Sequence, residues 1–88
     1  MKLIVAIIRD EVCEAILQSL IQEGYRATRI ASTGGFLRRG LTTLMIGIED
    51  EKVEPAIQIV RKQSTLMNNT NQRNVSLFVL NVDRFLQI

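Results

Sequence analysis

The sequence predicts an α+β fold: a four-stranded antiparallel sheet with two helices on one face, in the order βαββαβ of the ferredoxin-like sandwich. Three observations predict it. Four short apolar stretches rich in β-branched residues alternate with two stretches of helical periodicity in this order. The two halves echo each other at an offset of about 40 residues, which sets Ile8 over Ile48, Asp10 over Asp50, Glu11 over Glu51, Glu14 over Glu54 and Gln18 over Gln58. Finally, 88 residues with an apolar fraction of 47% suit one domain, residues 1–88, around one core. A core of this size is marginal alone, and a subunit partner would support it.

Lys2 to Ile8 is a continuous run of mostly apolar residues, short and β-branched enough for a buried strand. Asp10 stands where it can cap a helix whose apolar positions Val12, Ile16 and Leu20, with Cys13, Leu17 and Ile21, follow helical spacing, and Gly24 ends that helix. The second strand is expected from Tyr25 to Ser32, with Arg26, Thr28 and Ile30 on one face and Tyr25, Ala27 and Arg29 on the other. After a glycine bend, "TTLMIGIE" reads as the third strand, with Gly47 where a side chain would be in the way. Asp50 or Glu51 opens a second helix reaching about Lys62, with Pro55 near its first turn, where a missing amide matters least. Polar residues from Gln63 to Asn74 read as a loop, Val75 to Val82 as the fourth strand, and "DRFLQI" as a tail.

The net charge of +2 is small, and its distribution says more. Acidic residues gather at Asp10, Glu11 and Glu14 and again from Glu49 to Glu54, whereas Arg26, Arg29, Arg38 and Arg39 share a stretch without any acid between Glu23 and Glu49. The single cysteine, Cys13, cannot form an internal disulfide, and no Cys or His set suggests a metal or other cofactor. The apolar start lacks a signal-cleavage pattern and runs into Arg9, Asp10 and Glu11, and no stretch reaches the length of a membrane span. The expectation is a cytoplasmic, metal-free protein with no membrane contact.

The residue inventory argues against catalysis. There is no histidine, Cys13 lies on the apolar side of its helix, and the carboxylates crowd helix starts, where the helix dipole accounts for them. An acylphosphatase-like chemistry lacks the phosphate loop it would need after the first strand. The stretch "ASTGGFLRRG" suits binding better. Paired glycines let backbone approach a ligand and expose amide donors, arginines supply charge for a phosphate, and Phe36 offers a flat face to a base. Arg26 and Thr28 could bracket a phosphate or a base edge. The same residues also read as a tight turn with solvated arginines and a core phenylalanine, next to an ordinary strand edge. Arg38 and Arg39 fit solvated charge, an anion contact or a partner surface equally well. Binding to polymeric nucleic acid by sheet aromatics is disfavoured, because the third strand carries none.

The segments "MKLIVAI", "YRATRIASTGGFLRRGLTTLMIGIED" and "VSLFVLNVDRFLQI" resemble the PII-like family of cyclic di-AMP receptor proteins, above all in the Arg-x-Thr strand that leads into T-G-G-F-L. The resemblance covers nearly the whole chain outside residues 63–74. It implies a non-enzymatic homotrimer of ferredoxin-like subunits that binds a nucleotide second messenger in clefts between neighbours and signals to a downstream protein. Carried over by position, the ligand contacts fall on Arg26 and Thr28, on Gly34, Gly35, Phe36 and Leu37 of the glycine bend, on Leu41, on Gly47, and on Phe78 and Gln87 near the end.

Two departures stand out. Leu41 occupies the place where the family usually has asparagine, and the crossing from Lys62 to Val75 is shorter than the family's and has no glycine. The primary expectation is cyclic di-AMP binding. The alternative is a structural or protein-interaction trimer of the same fold that does not bind it.

Overall fold

The computed structural model describes residues 1–30, 40–66 and 74–88. The described elements are β1 (Lys2–Arg9), α1 (Asp10–Gln22), β2 (Ala27–Ile30), β3 (Leu41–Ile48), a 3-10 turn (Asp50–Lys52), α2 (Val53–Leu66) and β4 (Val75–Asn81). They form one antiparallel sheet in the order β2-β3-β1-β4, the ferredoxin-like arrangement that the alternation of apolar runs predicts.

Burial along β1 alternates, and Ile4, Ala6 and Ile8 are sealed against the helices. Leu44, Ile46 and Ile48 of β3 join them from beside, with Val12, Cys13, Ile16 and Leu20 from α1 and Ala56 and Val60 from α2. The core therefore lies wholly between sheet and helices; of the helical stripe read from the sequence Val12, Cys13, Ile16 and Leu20 pack fully and Leu17 partly, whereas Ile21 is exposed.

The helix ends refine the sequence reading. Asp10 is the first residue of α1 rather than its cap; Arg9 holds the cap position without a side-chain bond. At the other end Gly24, at φ +88°, closes a Schellman motif: its N–H donates to the Ile21 carbonyl at 3.0 Å and that of Tyr25 to the Leu20 carbonyl at 3.0 Å. Because the Tyr25 amide is spent there, β2 begins at Ala27 instead of Tyr25.

The 3-10 turn delays α2 to Val53, which makes Pro55 its third residue, still inside the first turn. The helix runs on to Leu66, past the expected end at Lys62, because Gln63, Ser64 and Thr65 include neither glycine nor proline to stop it. Gln63 to Leu66 of the expected loop thus belong to the helix, and residues 67–73 of it lie outside the described residues. Asn74, just before β4, donates from Nδ2 to the Ser64 carbonyl at 3.2 Å, satisfying one acceptor of the last helical turn.

Candidate functional site

Alternation fixes which side chains share the sheet face away from the helices. The ladder aligns Phe78, Val5, Met45 and Thr28 in one row across all four strands, and Leu80, Leu3 and Gly47 in the next. A third row holds Ser76, Ile7, Thr43 and Ile30. This outer face is mostly apolar, and Phe78 and Leu80 are about half exposed on it. The backbone past β4 turns back over one corner, where the Val82 N–H donates to the Met1 carbonyl at 3.2 Å.

At that corner lies a cleft of about 540 Å³. Its polar groups are Arg26, Thr28 and Gln87; its apolar walls are Met1, Leu3, Met45, Val82 and Phe85; and Gly47 is part of the lining. Among the described residues no carboxylate lines it. A Cβ added to Gly47 would come within 3.1 Å of Met1 Cε, so glycine keeps this wall open, in line with the sequence expectation.

The electrostatics separate two arginines that the sequence grouped together. Arg29 points to the helix side, where Nη2 pairs with Glu14 Oε2 at 2.7 Å. That bond, with the Gln18 amide on the other carboxylate oxygen at 3.1 Å, holds the Glu14 carboxyl below its ordinary range. Arg29 is thus withdrawn from the basic cluster. Arg26 lies on the outer face and makes neither hydrogen bond nor ion pair among the described residues, which leaves its donors available. A neighbouring hollow of about 310 Å³ shares Met1, Arg26 and Gly47, but there Glu23 and Glu49 offset Lys52, so the charge excess faces the larger cleft.

Cys13 is buried in the core and takes no part in the cleft. Burial pushes its thiol above the usual range, against the opposing pull of Arg29 beside it.

Of the ten residues singled out in the sequence, the cleft gathers Arg26, Thr28, Gly47 and Gln87. Leu41 lies on the same face but opposite Arg9, six residues along β3 from Gly47, or roughly 20 Å. Phe78 shares the row of Thr28 but on the opposite edge strand, three strand spacings or about 14 Å away. Gly34, Gly35, Phe36 and Leu37, with Arg38 and Arg39, fall outside the described residues. The sequence reading missed Met1, Leu3, Met45, Val82 and Phe85. The period-2 signal that pairs Arg26 with Thr28 would have found Met45 and Leu3 once the strand register was known, since they face Thr28 and Gly47 directly.

With its ferredoxin-like sheet and helices, the chain belongs to the class of PII-like proteins. The chain belongs, more particularly, to the cyclic-di-AMP receptor family, whose model matches residues 1–87. Among solved structures it is similar to a functionally unknown protein from Pediococcus pentosaceus ATCC 25745, with a TM-score of 0.79 and 34% sequence identity. That match covers 99% of this chain and 96% of the other. This is a receptor and signalling family, and no described helix is long and apolar enough to cross a membrane.

Proposed function

We propose that this chain is a non-enzymatic cytoplasmic receptor that binds cyclic di-AMP in clefts between the subunits of a homotrimer and passes the signal to a downstream protein. The observation that carries the reading is the acid-free cleft in which Arg26, Thr28 and Gln87 meet over Gly47. Its volume falls within the roughly 300–1,000 Å³ of small-molecule sites, and its composition matches the ligand: apolar walls for a purine, few polar groups for its edge, and for a phosphate Arg26, which makes no ion pair among the described residues.

The two separations within one chain support a site between subunits. Thr28 and Phe78 sit on opposite edge strands, and Gly47 and Leu41 at opposite ends of β3. β2 ends at Ile30 and β3 begins at Leu41, at the end of these strands away from the cleft. One ligand reaches both sets when the Arg26 corner of one copy meets the Leu41 end of a neighbour. The apolar outer face supplies the surface for that meeting. Leu41 then sits at the rim of the ligand, where the loss of an asparagine amide removes polar contacts without touching the cleft of its own chain.

Thermal melting with cyclic di-AMP, cyclic di-GMP and ATP tests this reading. A ligand held at 100 times its dissociation constant stabilises by about 2.7 kcal/mol, so a clear rise of Tm is expected with cyclic di-AMP and a smaller one with the others. No rise with any nucleotide would favour the interaction trimer instead.

A further inference from the structure

The two edge strands of the sheet differ. β2 is four residues long and carries Arg29, whereas β4 spans seven residues, "VSLFVLN", with neither charge nor proline. An edge of that kind is a template for a further strand, because nothing on it turns one away. The two ends of the β1–β4 ladder show which backbone groups are open. The Arg9 N–H donates to the Asn74 carbonyl at 2.9 Å, and the Val82 N–H to the Met1 carbonyl at 3.2 Å. Bonded and non-bonded pairs alternate along an antiparallel ladder, so the even-numbered residues of β4 turn their backbone groups to β1. Those of Val75, Leu77, Val79 and Asn81 therefore point to the open edge. The side chains of Val75, Leu77 and Val79 stand on the helix side, where a groove of about 310 Å³ lies between β4 and the flank of α2. Ile57, Val60, Val75 and Leu77 give it apolar walls, and Arg61 is its charged residue. Arg61 makes neither hydrogen bond nor ion pair among the described residues, and no carboxylate among them lines the groove.

We propose that the β4 edge and this groove form a docking site for an extended segment of a partner protein, apolar at alternate positions and bearing a carboxylate that meets Arg61. This extends the reading above by giving the chemistry of the downstream partner. A segment added at the edge lies about 4.8 Å beyond β4, where its amides and carbonyls meet those of Leu77 and Val79. Every second side chain then enters the groove beside Leu77 and the flank of α2. Charge favours a foreign segment over a second copy of this chain. A second β4 would bring its own Arg61 to the groove, cation against cation, and β2 is too short to cover seven residues. The groove opens on the helix side of the sheet, away from the face assigned to the trimer.

Amide hydrogen exchange by NMR on the full chain, with no nucleotide present, tests the site. Two synthetic peptides of alternating valine and threonine serve as probes, one with glutamate and one with lysine at the central valine position. In the protein alone the Leu77 and Val79 amides are expected to exchange fast, while those of Phe78 and Leu80 are protected by β1. The glutamate peptide is expected to slow Leu77 and Val79 about tenfold and to bind about fivefold more tightly than the lysine peptide. Arg61→Glu is expected to reverse that preference. Val79→Lys, which sets a charge at a half-exposed position of the edge, is expected to abolish the slowing by both peptides. Leu77 and Val79 amides already protected in the protein alone would mean that a second copy covers the edge, and would overturn the proposal. So would the absence of slowing with either peptide at millimolar concentration, or an unchanged peptide preference in Arg61→Glu. Because no nucleotide enters this experiment, its failure leaves the cyclic di-AMP reading standing, and the failure of that reading in its own titration leaves the docking site standing.

Discussion

Arg26 and Arg29 lie three residues apart, and their surroundings assign them opposite roles. Glu14 holds Arg29 against the helix layer, while Arg26 faces an acid-free cleft. Replacing Arg26 by alanine is expected to weaken cyclic di-AMP binding about ten- to a hundredfold by titration calorimetry, the effect of losing a charge-assisted hydrogen bond, with Arg29→Ala leaving affinity unchanged. Gly47→Val sends a branched side chain toward Met1 and into the same cleft, and should abolish binding while the melting temperature changes little, because the neighbour it meets is a flexible side-chain end. Cys13 follows a different logic. Its raised pKa means that the folded state holds the proton more tightly than the unfolded chain. The associated stability is fully present below the unfolded value near 9 and is lost as pH rises through the folded one. The denaturant midpoint of wild type is therefore expected to fall between pH 8 and pH 10 more steeply than that of Cys13→Ala. Residue identity alone could not separate the two arginines; the strand period placed them on opposite faces, but only the packing of α1 over β2 shows that a carboxylate waits on one side.

The elements show why some boundaries were legible and others were not. β1 and the apolar stripe of α1 can be read directly, because each is a long run of one periodicity bounded by charge. The start of β2 could not be, since it depends on the Tyr25 amide being used to close α1. The end of α2 was equally hidden: a polar stretch without breakers continues a helix when a residue such as Asn74 arrives to take a terminal carbonyl. Gly24 carries the α1 closure. An added Cβ would meet nothing within 4 Å there, so Gly24→Ala tests conformation alone. It is expected to destabilise by about 1 kcal/mol through its positive φ, read as a lower Tm with no change in nucleotide selectivity.

At the scale of the molecule, the contrast between the two sheet faces organises everything else. One face is sealed by helices; the other presents Leu3, Val5, Ile7, Met45, Phe78 and Leu80, and among the described residues the tail after β4 lies over one corner of it. The proposed homotrimer would cover that face and join the Arg26 corner of one chain to the Leu41 end of the next. Light scattering is then expected to give about 30 kDa for chains of 10.0 kDa, and Val5→Glu, which places a charge in the middle of the outer face, to give monomers that no longer bind nucleotide. The sequence carried the fold at this scale because the succession of elements and the alternation within each strand are local signals, and it named four residues that come together along the cleft. Which copies of those residues meet is a property of the assembly, and no spacing along one chain encodes it.

The most direct test of the central claim is isothermal titration of the purified protein with cyclic di-AMP. The account predicts saturable binding at one ligand per chain, selective over cyclic di-GMP and ATP at the same salt concentration. No heat of binding at ligand concentrations that saturate would contradict it, and would mean that the fold and its cleft serve a protein partner.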